Sequence, residues 1–261
     1  MNAVCYKLKF VAVAVLVLGM LSCGKPGVSP PPADLDLDEM VFVPAGEFIM
    51  GSDMNWKEEP GHTEYGDAFR IDKYEVTVGE YARFVEDTGH RVPKYWIRRD
   101  GEPGTDTELL PIVYVDYYDA CAFCEWEGKR LPTEEEWEKA ARGTDGQNFP
   151  WGDEWNPKYA NTWEKGSHRR APVYAYPEGA SPYGAVNMGG NVWEWTSSWF
   201  VNYPGAETEF NFTDTDIVLK GGSWLDFADS TRPARRHEFT PTVRYNTVGF
   251  RCVKDVGGET E

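Results

Sequence analysis

The second half of this chain limits its fold most, because it is divided into short pieces. From Asn148 onward, brief apolar stretches alternate with glycine, proline and asparagine. Segments this short cannot form long helices or long strands. The chain also contains 11 tryptophans and is 15% aromatic, so large side chains are available to pack between loops. We therefore expect a loop-rich second half stabilised by aromatic packing, with a bound metal as a further possible support.

The first half carries clearer helix signals. In TVGEYARFVEDTG, Thr77 and Glu80 form a capping box, and a glycine ends the segment. LPTEEEWEKAARG repeats this pattern with Thr133, Glu136 and Gly143, so its three carboxylates belong to the helix N-terminus rather than to catalysis. Between them, PIVYVDYYDACAFCEWEG predicts a short strand followed by a helix.

Strand signals come earlier in the chain. MVFVPAGEFIMGS alternates apolar residues around a Pro-Ala-Gly turn and predicts a pair of strands. FRIDKYEVT predicts another strand. Residues 91–110 are polar and rich in glycine, which predicts a long loop. No repeat of 20 to 50 residues is visible, which excludes repeat architectures.

The first residues predict export. Lys7 and Lys9 precede an apolar run, Phe10–Leu21, that is too short to span a bilayer. The run ends in MLSC, which resembles the lipobox of bacterial lipoproteins, so residues 1–22 are predicted to be a lipoprotein signal peptide and Cys23 the lipidated residue. An ordinary secretory signal is the alternative. Residues 23–39, rich in proline, glycine and aspartate, predict a linker.

The rest of the chain is predicted to form one domain, residues 40–254, followed by a flexible tail, residues 255–261. No second linker is visible within residues 40–254. The formal net charge of the whole chain is −17, and the signal peptide contains two lysines and no acids. An acidic domain repels phosphate backbones, so nucleic acid is not expected as a partner and cations are favoured.

Three cysteines follow Cys23 in an exported chain, namely Cys121, Cys124 and Cys252. An oxidising compartment favours one disulfide and one remaining thiol, and spacing alone does not say which two are paired. The CAFC motif suggests a redox pair, but such pairs normally lie at a helix N-terminus, where the helix dipole lowers the thiol pKa. Here the motif falls in the middle of the predicted helix, which disfavours redox function.

Several motifs in order resemble one enzyme family. VYVDYYDACAFCEWEGKRLPTEEEWEKAARG, FPWGDEWNPKYAN, APVYAYPEGASPYGAVNMGGNVWEWTSSW, VLKGGSWLDF and VGFRC have the order and spacing of the formylglycine-generating enzyme, or sulfatase-modifying factor, family. The resemblance covers nearly all of residues 40–254. It implies a single loop-rich α+β domain, related to the C-type lectin fold, with a surface cleft.

The family's copper cysteines are replaced in this chain. Family members that make formylglycine hold copper with two cysteines just after the Gly-Gly-Ser segment, because thiolates select Cu(I). Alignment on GGSW puts Asp226 and Thr231 at these positions. Hard oxygen donors bind Cu(I) poorly, so copper is not expected and formylglycine synthesis is disfavoured. The four histidines lie singly in the sequence, which also disfavours a zinc or iron site.

The resemblance also implies a structural calcium site and a disulfide. Its calcium ligands would be the side chains of Asn187 and Glu194 and the carbonyls of Gly190 and Val192. The alternative is that Asn187 and Glu194 only hydrogen-bond a tight glycine turn. The family's paired cysteines correspond to Cys124–Cys252, which leaves Cys121 as the odd thiol.

Part of a ligand-binding wall is retained. Trp193, Ser223 and Trp224 match positions in or beside the family's cleft, and a run of cationic side chains, from Arg235 to His237, follows them. The functional interpretation is an aromatic groove with a cationic rim. The structural interpretation places Trp193 in packing and Arg235 in a buried ion pair.

The sequence therefore favours a family member of the pseudoenzyme type that binds a peptide, a glycan or an envelope protein. It would act as a non-catalytic binding or scaffold module, attached to the membrane by its lipid. The outer membrane is favoured, since Gly24 replaces the aspartate that retains many lipoproteins at the inner membrane. The alternative is an exported oxidoreductase that modifies a peptide or secreted metabolite, with Asp226 and Ser223 as candidate catalytic residues.

Overall fold

The computed structural model describes residues 30–93, 108–165, 167–207 and 215–256. The predicted signal peptide, the first part of the linker, most of the predicted loop at 91–110 and nearly all of the tail lie outside these ranges. The described chain forms a mixed α and β fold with short elements joined by long connections. This confirms the α+β class and the loop-rich second half.

Three α-helices lie in the first half, and each begins at a capping box. They are α1 (Val78–Thr88), α2 (Tyr117–Trp126) and α3 (Glu134–Arg142), capped by Thr77, Asp116 and Thr133. The cap of α1 is the pair expected from the sequence, because the Thr77 side chain accepts from the Glu80 backbone and Glu80 accepts from the Thr77 backbone. The expected strand before α2 is reduced to a single bridge between Thr77 and Pro111.

Nine strands form three sheets in the described ranges. One antiparallel sheet has the order β1–β4–β9, and a second contains β2 and β3. The third sheet, β7–β6–β5–β8, is antiparallel except for the parallel pair β5–β8. The strands are β1 (Met40–Val43), β2 (Gly46–Met50), β3 (His62–Gly66), β4 (Phe69–Asp72), β5 (Trp193–Trp199), β6 (Ile217–Lys220), β7 (His237–Phe239), β8 (Val248–Gly249) and β9 (Val253–Asp255).

The expected pairing of the first two strands is wrong. Both β1 and β2 form, but β1 pairs with β4 and β2 pairs with β3. The short connection between β1 and β2 therefore leads from one sheet to another. Alternating apolar residues indicated the strands correctly, since alternation reports one buried face, but they did not identify the partners.

Two apolar clusters position the sheets. The larger lies between α1, α2 and the four-stranded sheet, and Tyr81, Phe123 and Trp195 are among its buried rings. The smaller places α3 against the sheet of β1, β4 and β9, with Trp137 fully buried. Together they fix β5 and the loops that flank it, where the predicted site residues lie.

The end of the predicted linker contacts the domain. Leu35 and Leu37 pack against a cluster that includes Tyr74, Val173 and Val186. The Lys73 ammonium group lies 2.8 Å from the Glu39 carboxylate, so the chain just before β1 is also held by an ion pair. Contacts with the folded domain thus begin before residue 40.

Cys124 and Cys252 form the expected disulfide, and Cys121 is the free thiol among the described residues. The bond joins α2 to the segment before β9. Cys121 lies in the same helix, where burial raises the pKa of its thiol. A raised pKa is the opposite of what a reactive thiol needs, and this agrees with the expectation against a redox pair.

Among the residues that the structure describes, none of the helices has the length and apolar character needed to cross a membrane.

Removing the disulfide should destabilise the domain strongly. Its two cysteines are 128 residues apart, and closing a loop of this size stabilises a fold by about 5 kcal/mol in the chain-entropy estimate. We expect Cys124→Ser to lower the urea midpoint in unfolding followed by tryptophan fluorescence. Cys121→Ser is the matched control and should shift the midpoint little. Equal midpoints for Cys124→Ser and the unsubstituted protein would contradict the prediction.

Candidate functional site

Asp226, Ser223 and Trp193 meet after the GGSW segment. One carboxylate oxygen of Asp226, Oδ2, accepts from Trp193 Nε1 at 2.9 Å and also from the Ser223 hydroxyl. The Asp226 amide donates to the Ser223 carbonyl at 3.0 Å, which closes a tight turn. Gly222 makes this approach possible, because a Cβ atom on it would lie 2.7 Å from the Ser230 carbonyl oxygen. The structure thus brings three of the predicted residues together.

Thr231 lies in the same loop and is fully buried. Its hydroxyl donates to the Ala228 carbonyl at 2.8 Å, within a short 3₁₀ turn, Ala228–Thr231. The resemblance places the copper thiolates at Asp226 and Thr231. The groups present there are a carboxylate bound by two donors and a hydroxyl bound to a backbone carbonyl, and neither is a soft ligand.

Two groups of aromatic side chains are connected to the turn that contains Asp226. We call them together the aromatic patch: Trp163 with Phe227, and Trp193 with His237, Phe239 and Tyr245. The Trp224 indole donates to the Asn246 carbonyl at 3.5 Å instead. The Trp163 amide donates to the Asp226 carbonyl at 2.9 Å, and the Trp193 and His237 ring centres are 5.1 Å apart. Phe227 and Trp163 are 60% and 43% exposed, whereas Trp193 is 6% exposed. Trp193 therefore packs as the structural interpretation expected, and other members of the patch face solvent.

One of the three residues of the expected cationic rim is buried, and the other two are partly exposed. Arg236 is buried and binds Glu134 at 2.7 Å, while Arg235 is partly exposed and lies 3.5 Å from Glu58. His237 lies 3.8 Å from the Glu238 carboxylate. Acidic partners thus offset the charges of Arg235 and Arg236, and anion steering by this run is not supported.

Among the predicted calcium ligands in the loop from Asn187 to Glu194, the Glu194 carboxylate already has protein partners, whereas the described hydrogen bonds of Asn187 involve its amide nitrogen and not its oxygen. The Glu194 oxygens accept from Arg251 at 2.7 and 2.8 Å, and one of them also accepts from Trp137 Nε1. The Asn187 amide nitrogen donates to Glu75 and to the Val173 carbonyl, both at 2.9 Å. As arranged, Glu194 does not fit as a calcium ligand, because binding would require it to leave Arg251. Calcium at this loop stays a prediction.

The sequence analysis did not identify the buried hydrogen bonds that Glu75 makes with Asn187 and Asn191 of this loop. Both side chains are buried, and Asn191 donates to Glu75 at 2.7 Å. Asn191 also accepts from the Ala171 amide at 2.9 Å, which fixes the orientation of its own amide group. The available signal was weak, because Glu75 lies between the apolar Tyr74 and Val76, where an unpaired carboxylate would be costly, but FRIDKYEVT contains other charged residues as well.

Glu75 is a titratable group near neutrality. Burial, more than any other factor, raises the pKa of its carboxyl group to about 7, and the nearby Glu194 charge adds to this effect. Arg251 and the amides of Asn187 and Asn191 act in the opposite direction. A buried carboxyl group that is hydrogen-bonded to this loop therefore changes its charge within the ordinary range of pH.

Comparison with known proteins agrees with this fold. The sequence profile of the sulfatase-modifying factor enzyme 1-like domain matches residues 25–256. Formylglycine-generating enzyme of Mus musculus is 33% identical over 88% of this chain and 78% of that protein. A second Mus musculus protein, named inactive C-alpha-formylglycine-generating enzyme 2, is 33% identical over 95% of this chain and 94% of its own length.

The solved structure of PvdO from Pseudomonas aeruginosa superposes with a TM-score of 0.68 at 26% identity, and the match covers 83% of this chain and 94% of that one. The fold is thus that of a formylglycine-generating-enzyme-like domain. The chain belongs to the sulfatase-modifying factor family, as the sequence motifs indicated.

Replacing Glu75 should change how stability depends on pH. Its folded pKa of about 7 exceeds the unfolded value, so the folded state binds more protons between these values and the group's stabilising contribution is lost as pH rises through 7. We expect a loss of about 3 kcal/mol from this group between pH 4.5 and 8. Glu75→Gln should remove this part of the slope in urea unfolding measured across that range.

The exposed Glu86→Gln is the matched control and should keep the slope of the unsubstituted protein. Parallel curves for Glu75→Gln and the unsubstituted protein would show that Glu75 does not titrate as described.

Proposed function

We propose that this protein is a sulfatase-modifying factor family member that binds a ligand at the aromatic patch without copper oxidase chemistry. The observation that carries the proposal is the contact of Asp226 with Ser223 and Trp193 at the position where the family resemblance calls for a copper thiolate. A carboxylate held in this way offers hard oxygen to a ligand and no sulfur to Cu(I). The domain would then act as a binding or scaffold module.

The relatives are compatible with either an active enzyme or an inactive family member. One mouse relative is named as an enzyme and the other as its inactive counterpart, at the same 33% identity. Overall similarity therefore does not separate active from inactive members, and the residues at 226 and 231 are the better criterion.

Restoring the thiolates should restore copper binding. We expect the unsubstituted protein to show no tight one-to-one Cu(I) binding in competition titrations and no oxidation of a cysteine-containing peptide. Asp226→Cys combined with Thr231→Cys should gain Cu(I) binding, seen as thiolate-to-metal absorption, because two soft donors then flank the site. Asp226→Cys alone is the control and should bind more weakly. Stoichiometric Cu(I) and turnover in the unsubstituted protein would overturn the proposal.

Metal analysis of the same preparations tests the calcium prediction. One calcium per chain after dialysis would support a site at the loop from Asn187 to Glu194, with Glu194 released from Arg251. Protein that retains its fold and contains no calcium would contradict the predicted calcium site in this loop.

A second candidate is an exported oxidoreductase, favoured by the hydroxyl–carboxylate contact of Ser223 and Asp226. A half-buried carboxylate beside a hydroxyl can accept a proton from a bound substrate. Oxygen consumption that depends on a peptide or metabolite, and that Asp226→Asn abolishes, would favour this candidate over the binding module.

We also propose that the protein is exported and attached to a membrane through a lipid on Cys23, with the outer membrane favoured. The support is the short apolar run that ends in MLSC. Cells producing the full chain should incorporate labelled palmitate into it, and Cys23→Ser should lose the label and leave the membrane fraction. An unlabelled full chain that is found outside the membrane fraction would contradict the anchor.

A further inference from the structure

We propose that Asp226 receives a primary ammonium group on an apolar stem, of the kind carried by a lysine side chain or a free diamine. The inference names the ligand class for the binding site proposed above and rests on that proposal. It follows from the charge partners of the carboxylates, from the oxygen that Asp226 leaves available, and from the rings around it.

Buried carboxylates in the described parts of the chain are commonly paired with cations. Asp226 is half-buried, yet no Lys, Arg or His side chain within the described ranges lies at ion-pair distance from it. Its two described side-chain donors, Ser223 and Trp193, are neutral. Glu75 is buried without an ion pair to a described residue, but the amides of Asn187 and Asn191 bind it. The buried carboxylates that are paired are Glu58 with Arg232, Asp72 with Lys129, Asp116 with Arg244, Asp119 with Arg91, Glu134 with Arg236, Glu138 with Lys220, and Glu194 with Arg251.

The hydrogen bonds of Asp226 indicate which kind of cationic ligand group it binds best. Both described donors bind the same oxygen, Oδ2, and no described residue donates to Oδ1. A guanidinium group binds best when it bridges both oxygens of a carboxylate in a planar fork. A compact ammonium group needs only one oxygen and is therefore the better match for Asp226.

The surroundings suit the rest of such a ligand. Ring faces attract an ammonium group, and apolar surface accepts the methylene stem that carries it. Trp163, whose backbone amide binds the Asp226 carbonyl, and Phe227, the next residue in the chain, are exposed, with ring centres 6.4 Å apart. Leu225 is 40% exposed, and the His168 ring lies 4.1 Å from the Trp163 ring. The net charge of −17 raises the local concentration of cationic ligands.

The test compares three matched probes: Nα-acetyl-lysine methylamide, its norleucine analogue without the charge, and its arginine analogue. Binding is measured by NMR shift titration of the tryptophan indole signals. We expect the lysine probe to bind about tenfold more tightly than the norleucine probe, and more tightly than the arginine probe, because a guanidinium that binds one oxygen forgoes the second hydrogen bond of its planar fork. Raising the salt concentration should weaken binding of the lysine probe and leave binding of the norleucine probe unchanged.

Two variants locate the effect. Asp226→Asn removes the charge with little change in size and should reduce lysine binding to the norleucine level. Asp229→Asn makes the same change three residues away, where Arg232 already pairs with the carboxylate, and should leave lysine binding within about twofold. Equal affinities of the lysine and norleucine probes, or unchanged lysine binding in Asp226→Asn, would overturn the assignment.

The source of the ammonium group is tested with two further probes in place of Nα-acetyl-lysine methylamide. One is cadaverine and the other is a pentapeptide that contains lysine. Tighter pentapeptide binding identifies a peptide ligand, and tighter cadaverine binding identifies a free diamine. If Asp226→Asn does not fold, the lysine and norleucine comparison in the unsubstituted protein still decides. If copper turnover is absent and lysine does not bind, the ammonium assignment fails while the loss of copper chemistry stands.

Discussion

The ion pair between Arg251 and Glu194 supports much of the arrangement. Both side chains are fully buried, and Arg251 binds both oxygens of Glu194. The same guanidinium donates to the carbonyls of Asp72, Lys73 and Val186. One side chain, which itself lies just before β9, therefore connects the end of β4, the residue before the loop from Asn187 to Glu194, and β5. Removing either partner would leave an uncompensated charge in the interior, which is far more costly than losing a surface pair.

This pair also determines the geometry at Asp226. Trp193 directly precedes Glu194 in β5, so fixing Glu194 fixes the strand from which the Trp193 indole reaches Asp226. Behind the strand, α3 contributes Trp137, which donates to Glu194 at 2.7 Å. The site thus depends on a polar interior that aromatic packing alone would not specify, because apolar contacts carry little directional information.

Local features could be predicted from the sequence, and features that depend on distant residues could not. The capping boxes at Thr77 and Thr133 need only residues three positions apart. The pairing of β1 with β4 depends on a later segment, and this is where prediction failed. The run from Arg235 to His237 appeared to be a cationic rim, since no local signal revealed that Glu58 and Glu134 offset two of its charges. The family resemblance did identify Cys124 with Cys252, although they are 128 residues apart.

The packing of Leu35 and Leu37 against the domain has a consequence for the lipid anchor proposed at Cys23. If Cys23 is lipidated, the covalent chain from that residue to Leu35 can span at most about 40 Å. A domain anchored in this way could not extend far from the bilayer surface. Its partners would then have to approach the bilayer, where confinement to a thin layer raises their encounter frequency and favours even weak contacts.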